Sequence, residues 1–193
     1  MTDFLVKVDR STTPANFSFP QPFNVAVPFI DRHIQENRGE RIAIQCANQT
    51  VTYGFLAEQV NRCGNALLNQ GVTAGDRLMM VVKDTPAFFY LFWGAIKAGV
   101  IPVPVNTLLR VDDYAFMIEK TACQALCYSS EYMDEIEPAI VESRHKPHVV
   151  LVEGTSNHQT ISLESVMESA SPELLPFPAT EQDDCFWLFS SGL

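Results

Sequence analysis

The sequence predicts an α/β fold, a mainly parallel sheet covered by helices, and three observations predict it. Segments of strand pattern alternate with segments of helical pattern from residue 24 to residue 190. The strand segments are apolar on both faces, as strands covered on both sides are. The chain of 193 residues is 47% hydrophobic and 19% charged, enough for one well-filled domain, or one and part of another.

Residues 1–22 carry Pro14, Pro20 and Pro22 among Ser, Thr and Phe, and read as an extended arm whose phenylalanines dock on the body. Asn24 can cap a helix running through Phe29, Ile30 and Ile34 to about Asn37, with Pro28 in its first turn, where a missing N–H does little harm. Arg41 to Cys46 alternates as a strand, and Asn48-Gln49 turns the chain into Thr50 to Thr52. Thr52 caps the clearest helix: Leu56, Val60, Cys63 and Leu67 form one apolar stripe, and Gly71 sits where a left-handed cap residue belongs.

Arg77 to Val82 is a strand, Thr85-Pro86 a cap followed by Pro at the first helical position, and Ala87 to Ala98 a helix stopped by Gly99. Val100 to Val105 is apolar and extended. Asp112 to Thr121 places Tyr114, Met117, Ile118 and Thr121 on one helical face. Ala125 to Tyr128 is a strand, Ser130 to Glu142 acidic and helical, Val149 to Val152 a strand, and Ser162 to Ala170 helical. A Pro-containing loop, Ser171 to Asp184, leads into Cys185-Phe186-Trp187-Leu188-Phe189, an apolar run of strand length.

Composition excludes several functions. Thirteen Lys and Arg against 23 Asp and Glu give a net charge of −10, which repels a phosphate backbone, so nucleic acid is not an expected partner. The excess is all in the second half: residues 97–193 hold five basic and fifteen acidic side chains, and no Lys or Arg follows Lys146. An anion bound near Ser190 must therefore rely on backbone N–H groups, helix dipoles or cations from elsewhere. Five cysteines, an odd number among apolar neighbours, suit a reducing cytoplasm and show no metal-site spacing. The N-terminus has no secretory pattern, and the apolar run between Asp84 and Lys97 is shorter than the roughly 20 residues of a membrane span. The aromatic cluster Phe88, Phe89, Tyr90, Phe92 and Trp93 lacks interleaved cations and reads as core packing.

Ligands of parallel sheets gather beyond the carboxyl ends of the strands. Asn106-Thr107 after Val105 reads as loop scaffolding through side-chain to backbone bonds. Ser190-Ser191-Gly192 after Phe189 can begin a phosphate-cradling loop, because backbone N–H groups approach oxygen closely where no Cβ obstructs. No dinucleotide fingerprint, Walker-type loop or nucleophile elbow is present, and neither serine has an assignable base.

The stretches Val51-Thr52-Tyr53 through Gly71-Val72-Thr73-Ala74-Gly75-Asp76-Arg77, and Gly94-Ala95-Ile96-Lys97-Ala98-Gly99 through Val105-Asn106-Thr107, resemble the N-terminal part of adenylate-forming acyl-CoA synthetases. Within that superfamily, Asn106-Thr107-Leu108-Leu109, Asp112-Asp113-Tyr114 and Asp183-Asp184-Cys185-Phe186-Trp187-Leu188-Phe189-Ser190-Ser191-Gly192 look most like benzoate-CoA ligases. The resemblance implies that ATP and an aromatic carboxylate give an acyl adenylate and pyrophosphate, and that the CoA thiol then gives the thioester and AMP, with Mg²⁺ as the ion. It implies that Ser190, Ser191 and Gly192 open a phosphate loop, and it points to a basic residue near Arg110 for the CoA phosphates, aligned nearer Leu108. A solvated Arg110 paired with Asp112 or Asp113 is the alternative.

Leu193 stands where the family has another hydroxyl residue, and the later adenine, acyl-pocket and adenylation-lysine segments lie outside these residues. The expected organisation is thus an arm over 1–22 and, over 23–193, an N-terminal subdomain truncated at the start of the phosphate loop. No catalytic residue or metal ligand is assigned within it. The fragment alone is expected to be inactive, to bind none of these ligands tightly, and to be cytoplasmic, with a homodimer allowed. A free-standing α/β binding module, or a ligase for another aryl or acyl carboxylate, is the alternative.

Overall fold

The computed structural model describes residues 6–46, 49–157 and 160–190. Two short strands, β1 (Lys7–Asp9) and β2 (Asn16–Ser18), form an antiparallel hairpin. The expected arm is therefore folded on itself; Phe17 is exposed and undocked, while Phe19, though exposed, meets Phe23 of the body edge-on with ring centroids 5.3 Å apart. A π-helical turn, Val27–Asp31, continues into α1 (Arg32–Gln35). Asn24 begins it by accepting the Ala26 N–H at 3.1 Å, while its amide donates to the Ile96 and Phe177 carbonyls, at 3.0 and 3.1 Å.

Strands β3 (Ile42–Cys46) and β4 (Gln49–Thr52) pair antiparallel; the predicted turn at Asn48 falls outside the described residues. Thr52 Oγ1 accepts the Phe55 N–H at 3.3 Å and so starts α2 (Tyr53–Asn69) as the sequence predicts. All four stripe residues, Leu56, Val60, Cys63 and Leu67, are buried, and Gly71 closes the helix at φ 85°.

The remaining elements are β5 (Arg77–Val81), α3 (Pro86–Ala98), β6 (Ile101–Pro104), α4 (Val111–Thr121), β7 (Ala125–Ser129), a 3₁₀ turn at Ser130–Tyr132, α5 (Met133–Glu142), β8 (Val149–Glu153), β9 (Ile161–Ser162) and α6 (Leu163–Ser169). The sheet runs β6-β5-β7-β8-β9 and every pair is parallel, as expected. The two-residue β9 carries no strand signal of its own, because its Ser162 is also the cap of α6, accepting the Ser165 N–H at 3.2 Å.

Alternation divides the core. Leu78 and Met80 of β5 join Cys127 and Leu151 under α2, α3 and α6, while Met79 and Val81 join Leu126 and Tyr128 under α4 and α5. Each such side chain contributes about 1.5–3 kcal/mol through burial, so neither face can be given up. Helices α2 and α3 cross on glycines: a Cβ on Gly94 would lie 2.9 Å from both Gly64 N and Val60 O. The aromatic residues of α3 are less buried than a core reading implies; Phe89 is exposed, and Trp93 stacks on the exposed Phe29 with centroids 5.2 Å apart.

Residues 185–189 overturn one expectation. They are exposed, and the described part of the run forms no strand; it lies beside β6 with the Trp187 N–H on the Pro102 carbonyl at 3.1 Å. The reason is in β6 itself. Ile101 and Val105 donate to Asp76 and Met80 on the β5 side, so Pro102 and Pro104 face outward and present carbonyls without N–H groups. That edge accepts but cannot donate, and a reciprocal ladder is closed to it.

Candidate functional site

The rim beyond the carboxyl ends of the strands is assembled from the chain that follows each one. After β6, the Asn106 side chain accepts the Leu108 N–H at 2.9 Å, and its carbonyl accepts the Tyr114 hydroxyl at 3.0 Å. This is the scaffolding role expected of Asn106, and it leads the chain into α4.

Arg110 occupies the cap position of α4, its own N–H donating to Asp113 Oδ2 at 3.2 Å. Its guanidinium, 81% exposed, pairs with Glu135 Oε1 at 2.8 Å, while Glu135 Oε2 accepts the Val111 N–H at 3.1 Å. The carboxylate partner is therefore on α5, not Asp112 or Asp113 as the sequence suggested: Asp113 is committed to the helix cap. Glu135 lies far along the chain, and no local spacing signals it.

After β5, the Lys83 N–H donates to Ser129 Oγ at 3.1 Å and its ammonium pairs with Glu131. Glu131 raises the Lys83 pKa and is itself held below its ordinary value by Lys83. Both ends are exposed, so the pair orders the rim without adding much stability. Thr85 Oγ1 donates to Glu153 Oε1 at 3.0 Å, tying the start of α3 to the end of β8. Gly154, at φ 94°, passes its N–H to Glu164 Oε1 at 3.0 Å; a Cβ there would meet Ser130 Oγ at 2.8 Å. Between these elements lies a groove of about 590 Å³, bordered by Cys46, Phe55, Thr85, Tyr90, Glu153 and Met167.

The two cations of this rim, Lys83 and Arg110, are thus each engaged with a carboxylate. Among the described residues, no three His, Cys, Asp or Glu side chains gather as a metal site, and no helix is long and apolar enough to cross a membrane. Ser190 is exposed at the end of the run beside β6, and Ser191 and Gly192 lie outside the described residues. Cys185 shares a cavity wall with Gly99 and Ile101, and Trp187 follows at Pro102, so the run climbs parallel to β6 toward the rim. Among the described residues the rim thus combines hydroxyls and backbone N–H groups with two cations and four carboxylates, Glu131, Glu135, Glu153 and Glu164.

Comparison with known proteins gives the chain a family. The model of the AMP-binding enzyme family matches residues 30–192. The chain is 35% identical over 170 residues to a 4-hydroxybenzoate-CoA/benzoate-CoA ligase of Rhodopseudomonas palustris, covering 88% of this chain and 31% of the relative. It is 34% identical over 185 residues to a benzoate-CoA ligase of Thauera aromatica, covering 95% of this chain and 34% of that one. The crystal structure of a benzoate CoA ligase from Burkholderia xenovorans LB400 superposes with a TM-score of 0.75 at 32% identity, over 86% of this chain and 32% of that one. The chain spans about a third of the length of these relatives. With a five-stranded parallel sheet and a family match over residues 30–192, the chain belongs to the AMP-binding enzyme family.

Proposed function

We propose that the chain is the N-terminal part of an ATP-dependent aryl-CoA ligase acting on benzoate or a close derivative. The observation that carries this reading is that both sequence relatives above and the solved structure are named for benzoate. In the proposed reaction a carboxylate oxygen of the aromatic acid attacks the α-phosphorus of ATP and pyrophosphate leaves. The CoA thiolate then attacks the acyl carbon of the adenylate and AMP leaves.

This chain's share is positioning. Ser190, with Ser191 and Gly192 after it in sequence, would meet the ATP phosphates with hydroxyl and backbone N–H donors, in a segment that has no Lys or Arg. Mg²⁺, when bound, neutralises polyphosphate charge; the described residues do not gather a donor set that fits it, and no step is assigned through it. Arg110 is a candidate for the CoA phosphates, its exposed fork needing only to exchange Glu135 for phosphate.

By itself the 193-residue chain is proposed not to adenylate, since it spans about a third of the length of the ligases it matches and losing even one preorganised donor can cost roughly 10² to 10³ in rate. Pyrophosphate release with ATP, Mg²⁺, CoA and benzoate tests both statements, measured on the product of the complete reading frame and on the 193-residue chain. Benzoate-dependent release by the first alone supports them. Release by the short chain overturns the second, and a complete protein active only on fatty acids overturns the aryl assignment.

A further inference from the structure

We propose that Arg77 and Trp187 form an anchor at the amino end of the sheet that fixes where Ser190 stands at the rim. The proposal rests on the reading of Ser190 as the opening of a phosphate loop. It begins with a deficit. Because Pro102 and Pro104 offer no N–H, the run beside β6 cannot be held by a ladder, and something else must set its path.

Trp187 supplies it. Its backbone N–H donates to the Pro102 carbonyl, its indole Nε1–H donates to Asp184 Oδ2 at 3.0 Å, and the Arg77 guanidinium lies over its ring at 5.8 Å. The neighbouring Phe186 meets Phe92 of α3 with centroids 5.6 Å apart. Arg77 is itself immobilised: Nε donates to the Thr121 carbonyl at 2.9 Å, one terminal nitrogen to Ala122 at 2.7 Å and the other to Gly75 at 3.2 Å. A guanidinium held by three backbone carbonyls cannot follow a moving ring, so the ring rests on a fixed plate. Ser190 is three residues beyond Trp187, about 10 Å of extended chain at roughly 3.3 Å per residue, so a shift of the Trp187 backbone, which the held indole resists, is passed on to the hydroxyl. Displacements of that kind matter where reacting groups must be aligned.

Arg77 and Trp187 are thus positioning residues, and the test separates holding the run from holding the sheet. In a Trp93→Phe background Trp187 is the sole tryptophan, and its fluorescence anisotropy decay reports the run directly. Arg77→Met is expected to add a fast depolarising component and at least double acrylamide quenching, at an unchanged urea midpoint. Unchanged depolarisation overturns the anchor, as does a change that appears only together with a lowered midpoint, which would make Arg77 a sheet staple. If Arg77→Met does not fold, Asp184→Ala, on an exposed loop, is read by the same criteria.

In the product of the complete reading frame, Trp187→Leu should raise the KM for ATP several-fold with the KM for the aryl acid unchanged, and Trp187→Phe should restore most of it. An equal rise in both constants overturns the anchor. A wild-type protein without aryl-adenylate formation defeats the functional reading instead, leaving the anisotropy result to judge the anchor.

Discussion

Lys97 of α3 and Asp31 of the π-helical turn meet at 2.7 Å inside the protein, with the ammonium 3% exposed and its other contact, Asn61 Oδ1, also at 2.7 Å. The two ends are unequal, because the carboxylate retains 20% exposure and can be rehydrated in place. Asp31→Ala leaves a buried ammonium with only an amide oxygen, and should cost about 3 kcal/mol. Lys97→Met leaves a carboxylate that water can reach, and should cost roughly 1 kcal/mol. Urea denaturation of the two variants checks the order; equal losses would show that the carboxylate is as stranded as the ammonium.

The crossing of α2 and α3 makes a second prediction. Gly94→Ala drives a methyl into backbone atoms that cannot rotate away, Gly64 N and Val60 O, and should destabilise by about 1–3 kcal/mol despite the better helix propensity of alanine. Thermal denaturation of Gly94→Ala beside the solvent-open Gly75→Ala separates overpacking from the backbone strain of positive φ.

His33 should make stability fall on acidification. Its Nδ1 accepts the Arg38 Nε–H at 3.2 Å, which only the neutral imidazole can do, and its ring stacks on Tyr53 with centroids 3.6 Å apart. Desolvation, then Arg38, lowers its pKa. With the folded value below the unfolded value of about 6.5, this contribution is complete above that pH and is lost as pH falls through the lowered folded value. Denaturation midpoints between pH 7.5 and about 5 should flatten in His33→Asn relative to wild type.

Thiol reactivity should divide the five cysteines. Burial pushes Cys63 up to about 12 and raises Cys123 and Cys127 as well, so these three should resist a thiol reagent until the chain unfolds. The remaining two, Cys46 and Cys185, should react in the native state, Cys185 slowly because partial burial raises its pKa. Mass spectrometry after brief alkylation reads the division, and native labelling of Cys63 would contradict the packing of α2.

For Arg110, the expected result in the complete protein is a raised KM for CoA in Arg110→Ala, with ATP and benzoate constants unchanged. Glu135→Gln, which frees the guanidinium, should lower the same constant. Unchanged CoA dependence in both variants would remove Arg110 from the site.

The fold was legible because its signals are local. The stripe Leu56, Val60, Cys63, Leu67, the stop at Gly99 and the alternation through Leu78, Met79, Met80 and Val81 each fix one element from its own residues. What stayed hidden depends on partners remote in sequence. Glu135 for Arg110, Glu131 for Lys83 and Glu153 for Thr85 are brought together only when the parallel strands align their carboxyl ends. The run Cys185–Phe189 reads as a strand for the same reason in reverse: its own residues suit one, and the obstacle is the pair of prolines it would have to pair with.

Those prolines also govern how the molecule behaves in a crowd. An exposed apolar segment, Phe186-Trp187-Leu188-Phe189, lies against an edge that can receive hydrogen bonds but never return them. A strand from a second molecule that invaded β6 would bury its own carbonyls there without donors, at a penalty paid again at every molecule added to a growing stack. The edge admits one guest, held by an indole and a guanidinium, and gives fibrillar growth no template to copy.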